Sequence, residues 1–190
     1  MEKGLPYSLR PEDPKRRLAD EIGSICRELG IDPLVIGGLA VNHHGYMRFT
    51  QDVDLLVARR DAMPLIRKLK LTPGWKRYAE GFKNTLLNIS VDICVEGDRT
   101  SPDSTETFPN PTVVRALRVK PIRVPVLPEL IALKVKSGRA RDDADVVELL
   151  KRHAPKMASL CRAAGRKLAT ALARQRLAEL MRRAQEERGR

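Results

Sequence analysis

Hydrophobic residues recur along this chain with two different spacings, and these spacings predict the order of its elements. A helical spacing of three and four residues begins after Asp13-Pro14 and ends at Gly30. Short apolar runs typical of strands follow at residues 34–37 and 52–58, with a helix-compatible segment at 38–46 between them. The chain therefore begins as helix, strand, helix, strand.

The same patterns extend this order to the end of the chain. Asp61 is expected to cap a helix that turns Leu65, Ile66 and Leu69 inward. Ala144, Val147 and Leu150 are expected on the core side of a helix at 142–153. The remaining predicted elements are a strand and turn at 75–82, strands at 84–87 and 88–95, a loop at 96–111, a strand at 121–126 kept to a sheet edge or end by its prolines, a helix at 129–135 broken at Ser137-Gly138, and one long helix at 156–187 or two helices broken near Gly165.

Helices that alternate with strands indicate an α/β fold with a mixed sheet flanked by helices. The length of 190 residues suits one compact domain with an appendage. We therefore expect a domain at residues 1–153 and a basic helical extension at 154–190. Residues 1–13 are expected to form a loose arm.

Two acidic side chains are predicted to project together from the strand at 52–58. Residues two apart in a strand share a face, so Val53, Leu55 and Val57 would face a core, and Asp52 and Asp54 would point the other way. Like charges so close repel unless a cation lies between them, and Mg²⁺ binds through carboxylates and substrate phosphates. Upstream, Gly37-Gly38 permits close approach of a bulky anion. The stretch therefore predicts a metal and triphosphate site.

The positive charge is concentrated at the C-terminus. The chain carries a net charge of +12, and residues 151–190 hold 12 Lys or Arg against 3 Glu. This distribution indicates a polyanionic partner such as tRNA or another RNA, although a solvated helix face has the same composition. The extension lacks interleaved aromatic residues, which makes stacking on single-stranded bases unfavourable there.

The three cysteines show neither a metal-binding spacing nor a disulfide pattern, which fits a reducing cytoplasm. No signal-peptide pattern and no membrane-spanning run is present, so no membrane partner is expected. His43 and His44 are adjacent on the predicted helix and point in different directions, so we expect a structural role rather than metal chelation.

The order of these motifs resembles the DNA polymerase beta superfamily of nucleotidyltransferases. Gly37-Gly38, the string RFTQDVD at residues 48–54, and Asp92 within VDICV match its glycine turn, its paired aspartates and its third carboxylate. The segment ALKVKSGRARDDADVVELL, at residues 132–150, is similar to the Lys-bearing helix and R/K-D-x-x-D string of the small toxin nucleotidyltransferase group that includes the abortive-infection toxins. The resemblance covers about residues 30–153.

The resemblance implies a nucleotidyltransferase fold and specific residue roles. Asp52, Asp54 and Asp92 would hold two Mg²⁺ ions, and Asp92 would also accept a proton from the acceptor hydroxyl. Gly37 and Gly38 would hold the β- and γ-phosphates of an NTP such as ATP. The positions that would neutralise or bind the triphosphate are Arg48, Thr50, Lys134, Lys136 and Asp142.

Each of these residues also has a plainer interpretation. Lys134 could lie at the edge of an apolar helix, and Asp142 and Asp145 could be an N-cap and a first-turn dipole partner. The leading hypothesis is nucleotidyl transfer to tRNA, a protein or a small molecule, with release of pyrophosphate. The alternatives are a non-catalytic nucleotide- or RNA-binding module in a toxin–antitoxin or regulatory pair, and modification of an antibiotic, which would need an acidic acceptor pocket. An antitoxin partner or a homodimer fits the apolar stripe of the extension.

Overall fold

The computed structural model describes residues 13–79, 81–119 and 122–189. The arm predicted at residues 1–13 lies outside this range except for Asp13. Within the described residues the elements in chain order are α1 (Pro14–Glu28), β1 (Leu34–Ile36), α2 (Gly37–His43), β2 (Asp52–Val57), α3 (Arg59–Leu71), β3 (Trp75–Tyr78), β4 (Gly81–Asn84), β5 (Ile89–Val95), β6 (Ala116–Val119), β7 (Ile122–Pro125), α4 (Leu127–Ser137), α5 (Ala140–Arg152), α6 (Met157–Gly165) and α7 (Ala171–Arg188).

The strands form one mixed sheet, which confirms the predicted α/β class. Their order is β3-β4-β5-β2-β1-β7-β6. β2 runs parallel to β5, and β1 runs parallel to β7, whereas β1–β2, β3–β4, β4–β5 and β6–β7 are antiparallel. β2 therefore lies near the middle of the sheet, where both of its edges are paired.

The two faces of the sheet are covered unequally. The larger core includes Val53, Leu55, Val91 and Phe82 from one face, packed against apolar residues of the helices. A second, smaller core joins Leu34, Ile36 and Leu56 to Val114 and Leu133. The small core covers the other face over β1 and the end of β2, and Cys94 of β5 and Ala116 of β6 pack against it.

Several predicted boundaries agree with the structure for the expected reasons. The Asp13 side chain accepts a hydrogen bond from the backbone N–H of Lys15 at 2.8 Å and so caps α1. Gly30 and Gly138, both with positive φ, follow the ends of α1 and α4. The extension is two helices rather than one, because α6 ends at Gly165 and α7 begins at Ala171.

Four sequence predictions are wrong. Asp61 does not cap α3, since Ala58 is the N-cap and Asp61 lies in the first turn. The strand predicted at residues 84–87 is absent, because residues 85–88 form a turn in which the Asn84 carboxamide oxygen accepts hydrogen bonds from the N–H groups of Leu86 and Leu87. Ala144 is exposed. β7 is internal rather than an edge strand, because β6, which was not predicted, lies outside it.

None of the helices in the described part of the chain is both long and apolar enough to cross a bilayer. Cys26, Cys94 and Cys161 are free cysteines.

Candidate nucleotide and metal site

The register between β2 and β5 places Asp54 directly opposite Asp92. The same register places Asp52 opposite Ser90. Residues that face each other in neighbouring strands project from the same face of the sheet, about 5 Å apart at the backbone. Val53 and Val91, which lie between these positions, are fully buried on the opposite face. The three aspartates therefore share one face, and two of them are immediate neighbours.

Gly37 makes room for Asp54. It has a φ of +64°, and a Cβ built on it would lie 1.6 Å from an Oδ atom of Asp54. The residue at position 37 must therefore adopt a left-handed backbone and carry no side chain. Gly37 and Asp54 are next to each other because β1 and β2 are antiparallel, with Ile36 opposite Asp54.

Gly38 makes room for a different contact. A Cβ on Gly38 would lie 2.6 Å from the Thr50 hydroxyl oxygen. That hydroxyl donates to the Asp52 carboxylate at 2.9 Å. The two glycines, predicted to hold phosphates, therefore also shape the carboxylate pair: Gly37 admits Asp54, and Gly38 admits the threonine that orients Asp52.

Arg48 is bound within the protein rather than directed at the carboxylate pair. Its guanidinium binds Asp145 of α5 through two hydrogen bonds of 2.6 and 2.9 Å. Its backbone N–H donates to the Asn42 side chain, which in turn donates to the Arg48 carbonyl. These bonds fix the loop that carries Thr50 to Asp52. Arg48 therefore has a positioning role within the fold, and its contact with a triphosphate stays a prediction.

Lys134 lies in a buried ionic network at the junction of α4 and α5. Its ammonium group binds Asp142 at 2.5 Å and Asp145 at 2.8 Å. Asp142 also accepts hydrogen bonds from Ser137 and, at 2.7 Å, from Arg139. Burial alone would raise the pKa of Asp142, but Lys134, Ser137 and Arg139 lower it overall. Asp142 is therefore an ionised network member and not a helix N-cap, which is Arg139.

A cavity of about 460 Å³ opens beside the aspartate pair. Gly37, Asp54 and Asp92 contribute to one wall, and Lys134 and Arg139 contribute to another. The charged residues that line it are Asp54, Asp92, Asp98 and Asp142 on the acidic side and Arg77, Arg99, Lys134 and Arg139 on the basic side. A cavity of this size suits a nucleotide-sized ligand, and its mixed charge suits a bound cation next to an anion.

The position of Asp54 makes its charge unfavourable in the fold. Burial, together with the nearby charges of Asp52 and Asp92, raises the pKa of Asp54 to about 6 against the opposing effect of Lys134 and Arg139. Burial and the charges of Asp54 and Asp92 also raise the pKa of the Cys94 thiol. The cluster therefore concentrates negative charge where a cation would relieve it.

Two of the three predicted metal ligands, Asp54 and Asp92, suit a metal ion whose remaining ligands come from the substrate and water. Among residues 13–79, 81–119 and 122–189, no three His, Cys, Asp or Glu side chains form a group that could hold a metal by themselves. Mg²⁺ commonly takes only one or two carboxylates and completes its shell with phosphate oxygens and water. Asp54 and Asp92, adjacent at the cavity wall, supply that partial set.

Lys136, the remaining residue predicted to bind the triphosphate, lies at a second cavity rather than at the main one. Lys136 lines a separate cavity of about 90 Å³ and lies 3.7 Å from Glu106. Arg139 belongs to the segment that resembles the Lys-bearing helix and acidic string, but the sequence predicted no specific role for it; it lines the main cavity, with its side chain 62% exposed. Its sequence signal is a basic residue directly after the helix-breaking Ser137-Gly138, but only the fold of that corner directs it toward Asp54.

The basic extension is partly neutralised within the protein. On α7, Arg176 binds Asp143, Arg182 binds Glu186 and Arg183 binds Glu187. The exposed basic residues around α6 include Lys156 before the helix, Arg162 within it and Arg166 after it. RNA binding by the extension remains a prediction, and its accessible charge is smaller than the sequence indicates.

Comparisons with known proteins give no family. No family model matches the sequence, and no curated protein matches it. Among solved structures, the crystal structure of ANT(2″)-Ia in complex with adenylyl-2″-tobramycin is similar, with 13% identity and a TM-score of 0.42 over 90% of this chain and 97% of that chain. The solution structure of the antibiotic-resistance factor ANT(2″)-Ia has 14% identity and a TM-score of 0.41 over 91% of this chain and 94% of that chain. Similarity at this level identifies neither a family nor an activity, so the residues of this chain must support any assignment.

Proposed function

We propose that this protein is a Mg²⁺-dependent nucleotidyltransferase that moves a nucleoside monophosphate from an NTP to an acceptor hydroxyl. The observation that carries the proposal is the pairing of Asp54 with Asp92 across two parallel strands, at the wall of a nucleotide-sized cavity. Burial and neighbouring carboxylates disfavour the charge of Asp54, and a divalent cation would compensate for this cost.

Each side chain then has a defined task. Asp54 and Asp92 would hold Mg²⁺, while Asp52, which Thr50 orients, would add negative potential beside Asp54. Mg²⁺, when bound, would stabilise the charge that develops on the phosphate oxygens during displacement. Arg139, which is exposed at the cavity, would contact the triphosphate. Lys134 would keep Asp142 and Asp145 in place and contribute positive potential near Asp54.

The reaction is an in-line displacement at the α-phosphate. The acceptor oxygen forms a bond to the α-phosphorus, the bond to the bridging oxygen breaks, and pyrophosphate leaves. The acceptor proton passes to Asp92, the carboxylate on the outer strand of the pair. The position of Asp92 at the cavity wall supports its role as this base. The transfer experiment identifies the NTP and the acceptor.

Incubation of the protein with each α-labelled NTP, Mg²⁺ and candidate RNA, protein and small-molecule acceptors tests the proposal. We expect label transfer by the wild type and a loss of about 100-fold or more for Asp54→Asn and Asp92→Asn. Asp103→Asn, in an exposed loop, is the matched control and should retain transfer. Equal transfer by wild type and Asp54→Asn, or no transfer to any acceptor, would refute the proposal.

The second candidate is a nucleotide-binding module without catalysis, acting in a toxin–antitoxin or regulatory pair. The observation that favours it is the neutralisation of the predicted phosphate-binding cations: Lys134 is bound to two carboxylates and Arg48 to one. This candidate predicts Mg²⁺-dependent NTP binding with no release of pyrophosphate in the presence of any acceptor. Binding with turnover would exclude it.

Antibiotic modification has less support from the site. A cationic antibiotic would need an acidic acceptor pocket, whereas the described cavity carries acidic and basic residues in equal number. A cytoplasmic location and an antitoxin or homodimer partner remain predictions from the sequence.

A further inference from the structure

We propose that the face of β3 and β4 beside the aspartates is the acceptor subsite, and that its occupant is the end of a single-stranded RNA. The proposal rests on the nucleotidyl transfer proposed above, because it assigns the acceptor of that reaction. It follows from the strand register, which places basic and aromatic side chains in line with Asp52.

A continuous row of residues crosses four strands on the aspartate face. Asp52 is opposite Ser90, Ser90 is opposite Lys83, and Lys83 is opposite Lys76. Directly paired residues project from the same face, so these four side chains share it. At the usual strand spacing, Lys83 lies about 10 Å and Lys76 about 14 Å from Asp52 at the backbone. The lysines are thus within reach of a substrate that also contacts the aspartates.

Tyr78 adds an aromatic surface to this row. The Lys83 ammonium lies 5.3 Å from the centroid of the Tyr78 ring, which shows that the two side chains lie on the same side of the hairpin. Tyr78 is 53% exposed, and Lys76 is also exposed. In the described part of the chain, neither Lys76 nor Lys83 forms an ion pair with a carboxylate. An exposed ring next to two unneutralised lysines is therefore available to a ligand.

Within the row and its aromatic neighbour, Lys76 and Tyr78 are exposed and Lys83 and Ser90 are half-buried, whereas another part of the same face is covered by the small core. The small core of Leu34, Ile36 and Leu56 with Val114 and Leu133 closes the face over β1 and the end of β2. The main cavity lies toward Gly37 and Arg139. A donor nucleotide in the cavity and an acceptor on β3 and β4 would meet at Asp92, because Asp92 lies on β5, the strand between β2 and β4.

The chemistry of the row selects the occupant. Two lysines spaced along a row attract phosphates, and an exposed tyrosine stacks on a base, a combination typical of single-stranded nucleic acid sites. A cationic acceptor would be repelled by the same lysines. The length of the row suits a strand with more than one phosphate better than a single nucleotide.

Fluorescence anisotropy with a fluorescein-labelled, ten-nucleotide single-stranded RNA of mixed sequence tests the proposal. We expect Tyr78→Ala to weaken binding about 5- to 150-fold and Tyr78→Phe to retain it. For Lys76→Ala/Lys83→Ala, we expect the slope of log affinity against log salt to fall by about 1.4, the value for two phosphate contacts on a single strand. Arg67→Ala/Lys70→Ala is the matched control, because both side chains are exposed on α3, away from the row and from the basic extension, and its slope should not change.

Three results would overturn the proposal: unchanged RNA binding by the Tyr78 and Lys76/Lys83 variants, a slope that falls in the control pair instead, or equally strong competition by free AMP at the same molar concentration. The thermal shift produced by Mg²⁺ with an NTP, measured on the same variants, separates this proposal from the proposed function. Wild type without that shift would refute nucleotidyl transfer, whereas a retained shift with unaffected RNA binding would refute only the acceptor subsite.

Discussion

The carboxylate of Asp54 occupies the space that a side chain on residue 37 would need. A Cβ at Gly37 would approach an Oδ atom of Asp54 to 1.6 Å, and the backbone there has a φ of +64°. The glycine turn and the aspartate pair are therefore one structural unit, in which the turn determines where the acidic group can lie.

Gly37→Ala should destabilise the protein more than the same change at a glycine without this neighbour. Gly45 also has a positive φ, of +94°, but nothing lies within 4 Å of its ideal Cβ. We expect Gly45→Ala to cost about 1 kcal/mol for backbone strain and Gly37→Ala to cost about 3 kcal/mol or more. Urea unfolding of the two variants measures the difference, and equal costs would contradict the described packing of Asp54.

Asp54→Asn should stabilise the protein near neutral pH while removing its proposed metal ligand. The pKa of Asp54 is raised from 3.8 to about 6, so its ionised form destabilises the fold. This cost is fully present above about pH 6 and disappears as the pH falls below 3.8. The variant should therefore gain at most about 3 kcal/mol near pH 8 and nothing near pH 3.5, as measured by unfolding at each pH.

A variant as stable as the wild type at every pH would show that Asp54 is already compensated in the fold. Asp103→Asn, at an exposed loop position, controls for a general effect of removing one negative charge.

Asp145→Ala should be strongly destabilising because it removes the carboxylate that Arg48 binds and one of the two carboxylates that Lys134 binds. Arg48 binds Asp145 through two hydrogen bonds, and Lys134 lies 2.8 Å from it. Breaking a buried ionic network from one side costs about 3 to 5 kcal/mol. Arg182→Ala, which removes an exposed pair with Glu186, should cost less than about 1 kcal/mol. Similar losses in both variants would contradict the network.

His44 should make the fold lose stability in mild acid. Burial lowers the pKa of His44 from 6.5 to about 4, and its Nε2 atom lies 2.7 Å from the Pro125 carbonyl, to which the neutral ring donates. The stability that the neutral ring contributes is present above about pH 6.5 and is lost as the pH falls toward 4.

Unfolding of wild type and His44→Gln across this range measures the effect. The free energy of unfolding of the wild type should fall more steeply with decreasing pH than that of the variant. Asp54 acts in the opposite direction over much of the same range, so the comparison must be made against the variant and not read from the wild-type curve alone. Parallel curves would show that His44 does not titrate differently on folding.

The local parts of the site could be predicted from the sequence, and the long-range parts could not. The period-two pattern of β2 and the Gly37-Gly38 turn indicate the orientation of Asp52 and Asp54, because strand geometry alone determines it. The position of Arg139 depends on how α4 and α5 meet, which no local pattern encodes. The role of Lys134 likewise depends on carboxylates from the next helix.

The wrong prediction of a strand at residues 84–87 has a physical cause. Leu86 and Leu87 favour a strand by composition, yet Leu86 is 87% exposed because the Asn84 side chain binds the following N–H groups and forms a turn. This shift moves β4 to Gly81–Asn84 and creates the row of Lys76, Lys83 and Ser90 beside Asp52. The proposed acceptor subsite was therefore invisible in the sequence pattern.

Isothermal titration of a non-hydrolysable NTP, with and without Mg²⁺, tests most directly whether Asp54 and Asp92 form a nucleotide–metal site. We predict that wild type binds the nucleotide at least about tenfold more tightly with Mg²⁺ than without it, and that Asp54→Asn and Asp92→Asn lose this enhancement while Asp103→Asn keeps it. Nucleotide binding that is independent of Mg²⁺, or an enhancement that persists in both aspartate variants, would contradict the account.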